Sequence, residues 1–182
     1  MKSPFTPAMR HLKPGELICP KKPMVISTIL GSCIAITFYS RQLGRGCMCH
    51  AVLPSSKGEE NMKYVDRALR CMLESFDRLQ IPRQDLEVKL FGGADTLSLM
   101  IGKTTAKQTG SIGSQNISAA LALIAREGLR IKASDLGGLE GRKLFFYSHT
   151  GEIFLKRFPI GKTSFRRPPS PALIPWKKEY KS

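Results

Sequence analysis

A thiol and an imidazole that can take its proton are the smallest set of side chains that performs nucleophilic acyl chemistry. This chain offers such a pair in Cys33 and His50. Both sit in segments whose composition favours strands. Ile34 to Tyr39 is β-branched and aromatic, and Gly46 to Leu53 follows it after the polar, glycine-containing stretch Ser40 to Arg45. A four-residue loop at Ser40 to Leu43 would join them as a hairpin and pair Tyr39 with Gly44. In that register Cys33 falls directly opposite His50, where Cβ atoms lie roughly 4.5–5.5 Å apart.

Alternation of side chains assigns the faces. Cys33 shares one with Ala35, Thr37 and Tyr39, and His50 shares its own with Met48. Cys47 and Cys49 point the other way, with Ile34, Ile36 and Phe38, and read as small core hydrophobes. A one-residue slip would reverse the whole assignment. Gly31 and Ser32 precede the thiol. A glycine there lets backbone approach a ligand closely, and backbone N–H groups beside Cys33 are candidates to hold a developing oxyanion.

Other patterns carry less. Gly102-Lys103-Thr104 and Gly161-Lys162-Thr163 resemble the end of a phosphate-binding loop. The required upstream glycine is replaced by Leu97 and Lys156, which excludes both. Cys47-x-Cys49-His50 lacks a second ligand pair at zinc-like spacing, so no metal and no cofactor are expected. Asn116-Ile117-Ser118 matches a glycosylation acceptor, but nothing points to secretion. His11 and His149 read as solvated, and Cys19 and Cys71 as packing residues.

The chain has 182 residues with 29 basic and 14 acidic side chains, a formal net charge of +15. That length suits one domain and buries about 70% of the unfolded surface. Five cysteines are an odd number without a disulfide spacing, and no secretory signal is evident, so a reducing cytoplasm with free thiols is expected. No apolar run approaches the roughly 20 residues of a membrane span. The positive charge raises the question of nucleic acid, but no recognised nucleic-acid-binding pattern accompanies it, and none is expected as a partner.

The elements that must position the pair follow from periodicity. Residues 1–13 read as a loose basic arm and Met24 to Ile29 as a strand. Met62, Val65, Ala68, Leu69, Met72, Phe76 and Leu79 recur at helical spacing, predicting a helix from Asn61 to Leu79. Leu86 to Phe91 alternates as a half-buried strand. A second helix carries Ile117, Ala120, Leu121, Leu123 and Ile124, with Gly128 ending it. Strands at Leu129–Ala133, Lys143–Ser148 and Glu152–Phe158 follow, the last two joined at His149-Thr150-Gly151. The pattern predicts an α+β layered sandwich of mostly antiparallel or mixed sheet with two main helices. Residues 1–160 form one domain in this reading, and 161–182 a basic, proline-rich tail.

Several blocks then carry a resemblance: Lys13-Pro14-Gly15-Glu16, Ile26 to Cys33, Met48-Cys49-His50 with Leu53-Pro54, Leu90 to Ala94, Ile112-Gly113 with Asn116, and Asp135 to Gly138 with Gly141-Arg142-Lys143. Over roughly residues 11–158 the chain resembles CheD, the chemoreceptor glutamine deamidase family. The resemblance implies a hydrolase, a protein-glutamine glutaminase that converts glutamines of methyl-accepting chemotaxis receptors to glutamates. It implies a catalytic Cys, His and Thr, which map to Cys33, His50 and Thr28, with Ser27 as a stand-in for Thr28. Gly31 and Ser32 would position substrate and oxyanion. Cys47 and Cys49 depart from residues usual in relatives. The implied partners are receptor cytoplasmic helices and a CheC-type phosphatase, and a mainly regulatory binding role is the alternative. The implied chemistry runs through a thiolate–imidazolium pair. The implied receptor helices are acidic, so the positive charge is expected to steer the encounter.

Overall fold

The computed structural model describes residues 6–95 and 110–160. In chain order the elements are β1 (Ala8–His11), β2 (Leu17–Ile18), β3 (Met24–Leu30), β4 (Ile34–Ser40), β5 (Arg45–Ala51), α1 (Val65–Asp77), a short 3-10 turn (Arg83–Asp85), β6 (Leu86–Gly92), α2 (Ile112–Arg126), β7 (Ile131–Leu136), β8 (Glu140–Tyr147) and β9 (Ile153–Pro159). They form two mixed sheets ordered β1-β3-β8-β9 and β2-β5-β4-β6-β7. Among these strand pairs, β1–β3 and β6–β7 are parallel and the rest antiparallel. This is the α+β sandwich with two helices that the periodicity predicted.

The five-stranded sheet is buried on both faces. One face sends Ile34, Ile36, Phe38, Cys47, Cys49 and Ala51 against Val65, Leu69, Met72 and Phe76 of α1 and Ala120 and Ile124 of α2. The opposite face sends Ala35, Met48 and Phe91 against Ile26, Leu30, Leu144 and Phe146 of the four-stranded sheet. The order is therefore helices, sheet, sheet. Cys47 and Cys49 lie on the helix side, as alternation required.

The hairpin register differs from expectation by two residues. Tyr39 pairs with Gly46, Ser40 with Arg45 and Ala35 with His50, so Cys33 is not directly opposite the imidazole. The reason lies in the turn: Gly44 has φ +57° and its N–H donates to the Arg41 carbonyl, which places it in the loop rather than the ladder. A shift of two preserves every face, so Cys33 still packs into the inter-sheet cluster.

Other boundaries moved for similar reasons. Helix α1 begins at Val65 rather than Asn61, because the Lys63 carbonyl accepts from the N–H groups of Val52 and Leu53 and is committed to a tertiary contact. Leu79 lies beyond its end, 42% exposed, and Ile81 is buried instead. Leu121 faces solvent on α2. The N-terminal arm contains a strand, β1, paired in parallel with β3. Its own side chains are exposed, which is why it carries no hydrophobic pattern. His11 is exposed as expected, but His149 is half-buried, its carbonyl accepting from the Tyr39 hydroxyl. Cys19 is exposed rather than packed. Gly102-Lys103-Thr104, Gly161-Lys162-Thr163 and the tail at 161–182 lie outside the described residues.

Candidate active site

Three segments meet in the space between the sheets. Strand β5 contributes His50, 2% exposed, and β3 of the facing sheet contributes Thr28, 1% exposed. Cys33 enters from the loop Gly31–Cys33 that leads from β3 into β4, and is half-buried. With Ala35 paired to His50, Cys33 occupies the diagonal position on the same face, where Cβ separations are about 7–8 Å or less.

The Thr28 hydroxyl bridges the sheets. Its Oγ1 lies 2.8 Å from the Leu12 carbonyl oxygen and 2.8 Å from His50 Nδ1. A carbonyl can only accept, so the single hydroxyl proton goes to Leu12 and Nδ1 must carry the proton it donates to Oγ1. That fixes the tautomer and leaves Nε2 as a bare lone pair. Nε2 is buried and has no hydrogen-bond partner among the described residues. Ser27, the neighbour of Thr28 in β3, points to the other side of its sheet and does not meet the imidazole.

The main chain of His50 is held as tightly. Its carbonyl accepts from Gly15 N–H at 2.8 Å, and its N–H donates to the Glu16 carbonyl at 3.0 Å. The block Lys13-Pro14-Gly15-Glu16 thus serves as a second edge for this part of β5.

The loop bearing the thiol is anchored through three successive carbonyls. The Gly31 carbonyl accepts from Ala94 N–H at 2.9 Å, the Ser32 carbonyl from Asn116 Nδ2 at 3.0 Å and the Cys33 carbonyl from Gly93 N–H at 2.8 Å. Close approach of the 92–94 turn requires glycine. A Cβ on Gly92 would sit 2.1 Å from the Cys33 carbonyl oxygen, and its φ is +110°. Behind this turn, Gly137 N–H donates to the Gly92 carbonyl. The Gly137 carbonyl accepts from Arg142, which is 2% exposed and ion-paired to Asp135. The Asp135 to Gly138 and Arg142 blocks therefore buttress the thiol loop.

Asn116 belongs to one of the matching blocks, but sequence reasoning assigned it no part in the site. From the buried face of α2 its Nδ2 donates to both the Ser32 and Val52 carbonyls, tying the thiol loop to the end of the histidine strand. A signal existed: Asn116 stands four residues before Ala120 and eight before Ile124, a polar residue on the core face of an amphipathic helix.

Burial sets the protonation states. Desolvation lowers His50 to about 4, with the charge of nearby His11 acting in the same sense and the Leu12 carbonyl opposing. Desolvation also raises Cys33 above the ordinary thiol range. The pair rests as neutral thiol and neutral imidazole, so a thiolate–imidazolium pair forms only as the proton moves from sulfur to the ring. Such a site can move a proton from sulfur to Nε2 as the sulfur attacks, and can return it to a leaving group.

Comparison with known proteins gives a consistent picture. A family model described as CheD chemotactic sensory transduction matches residues 52–157, beginning just past β5. A Geobacter sulfurreducens protein named probable chemoreceptor glutamine deamidase CheD 2 is 44% identical over 147 residues, covering 81% of this chain and 88% of its own. Proteins named probable chemoreceptor glutamine deamidase CheD are similar too. The one from Maridesulfovibrio salexigens is 38% identical, covering 80% of this chain and 89% of its own. The one from Sulfurimonas denitrificans is 32% identical, covering 86% and 97%.

Proposed function

Because the chain belongs to the CheD family of chemotactic sensory transduction proteins, we propose that it hydrolyses glutamine side-chain amides of chemoreceptors to glutamates, with Cys33 as nucleophile, His50 as general base and acid, and Thr28 as the group that orients His50. The observation that carries this reading is the Thr28–His50 hydrogen bond, which leaves Nε2 unprotonated inside the site.

The chemistry proceeds in two halves. Cys33 Sγ attacks the amide carbon while Nε2 takes the thiol proton, and backbone N–H groups of the Gly31–Ser32–Cys33 loop receive the oxyanion. The imidazolium, held by Thr28, protonates the departing ammonia and leaves a thioester. Water, deprotonated by Nε2, hydrolyses the thioester to glutamate and restores the thiol. Forming charge only in the transition state suits a neutral resting pair, since the cost of burying two ions is not incurred in the free protein.

The work takes place in the cytoplasm on receptor helices, with a CheC-type phosphatase as a regulatory partner. Residues 1–160 supply the catalytic domain in this reading. No helix among the described residues is long and apolar enough to cross a membrane.

The test is mass spectrometry of a receptor cytoplasmic fragment incubated with the protein. The expected result is an amide-to-acid mass gain at specific glutamines, absent with Cys33→Ala. Full activity in Cys33→Ala would refute the assignment of the nucleophile. No gain with the unsubstituted protein and a cognate receptor would favour a purely regulatory binding role.

A further inference from the structure

Away from the Cys33–His50 site lies a pair of thiols. Strand β2 pairs with β5 through Leu17↔Cys49 and Ile18↔Met48. Extending that antiparallel register by one residue sets Cys19 opposite Cys47. Opposed residues in such a pair have Cα separations of about 4.5–5.5 Å, inside the range a disulfide spans. Both thiols line one surface pocket, together with Arg45 and Ser75. Cys19 is exposed and Cys47 is 1% exposed.

We propose that Cys19 and Cys47 are a peroxide-responsive dithiol that closes to a disulfide between β2 and β5. Their environments divide the roles. The facing Cys47 thiol and the charge of Arg45 hold the Cys19 thiol below its ordinary range although desolvation opposes them, whereas burial pushes Cys47 well above. Cys19 is thus the accessible nucleophile and Cys47 the resolving thiol.

The steps balance. Cys19 sulfur attacks one oxygen of hydrogen peroxide, the O–O bond breaks, and water leaves as Cys19 becomes a sulfenic acid. Cys47 sulfur then attacks the Cys19 sulfur, the S–O bond breaks, and the hydroxide departs with the Cys47 proton as a second water. Peroxide is reduced and the two thiols are oxidised. The product ties β2 to the strand bearing His50, beside the Gly15 and Glu16 backbone contacts that hold it. The deamidase chemistry uses neither thiol.

The test uses full-length Cys33→Ala protein, so that the site thiol does not report, titrated with hydrogen peroxide. Intact mass and fragmentation of tryptic peptides are then read. The expected result is loss of the two thiol hydrogens and a Cys19–Cys47 linked peptide. Dithiothreitol should reverse it, and Cys19→Ser, an exposed substitution, should abolish it. Recovery of Cys19 as free thiol or sulfinic acid without a linked peptide would overturn the proposal. So would linkage to Cys49, or an intermolecular Cys19 dimer as the main product.

Discussion

Acid should destabilise this protein through His50, by an amount its burial determines. An unfolded chain binds a proton on this imidazole below the ordinary value of 6.5, whereas the folded protein does so only below about 4. Between those limits the unfolded state holds more protons, so stability falls as pH falls. Moving a titration midpoint by one pH unit corresponds to about 1.4 kcal/mol, so the loss from neutrality to pH 4 is about 3 kcal/mol, which is a large fraction of a typical folding free energy. Glu87 adds to the acid loss at the lower end of this range, because, against its desolvation, Lys132 and Arg41 hold it below its ordinary value of 4.5 in the folded protein. The contribution of His50 is isolated by urea unfolding of the wild type and of His50→Asn at neutral pH and at pH 4. The asparagine keeps a donor toward Thr28 Oγ1 but does not titrate. Wild type should lose about 3 kcal/mol more than the variant over this interval. Equal losses in the two proteins would show that the folded imidazole is not held neutral, and would remove the basis for a neutral resting pair.

Four further outcomes follow from the geometry. Thr28→Val strips the donor from the Leu12 carbonyl and the acceptor from His50 Nδ1. At about 1–3 kcal/mol for an unsatisfied buried partner, kcat for receptor deamidation should fall roughly ten- to hundredfold, and Thr28→Ser should recover most of it. Gly92→Ala, with its Cβ against the Cys33 carbonyl and a left-handed φ, should cost about 3 kcal/mol or more by thermal unfolding; an unchanged Tm would contradict the close approach. Asn116→Asp turns a double donor into an acceptor facing two carbonyls, so its urea midpoint should drop below that of Asn116→Ala. Finally, if the net charge of +15 steers encounter with acidic receptor helices, the deamidation rate should fall steeply with added salt, and a flat salt profile would remove steering.

Much of the site was legible because strand geometry is local. Alternation, together with the parity of the assumed hairpin register, set Cys33 and His50 on one face and Cys47 and Cys49 on the other, and the structure keeps that division. Helical spacing picked out the buried face of α1. The hairpin register was not legible, because it depended on which loop residue took the left-handed conformation, and Gly44 did so instead of joining the ladder.

What only the tertiary structure decided are the contacts between segments distant along the chain. Thr28 meets His50 because two sheets stack, and no local rule distinguishes it from Ser27 until the β3 face is known. Asn116 reaches Ser32 across 84 residues, and Arg142 supports the thiol loop through Asp135 and Gly137. The neutrality of the imidazole is likewise a product of packing. Residue type sets the ordinary titration range, but the exclusion of water that moves it exists only once the sheets close over His50.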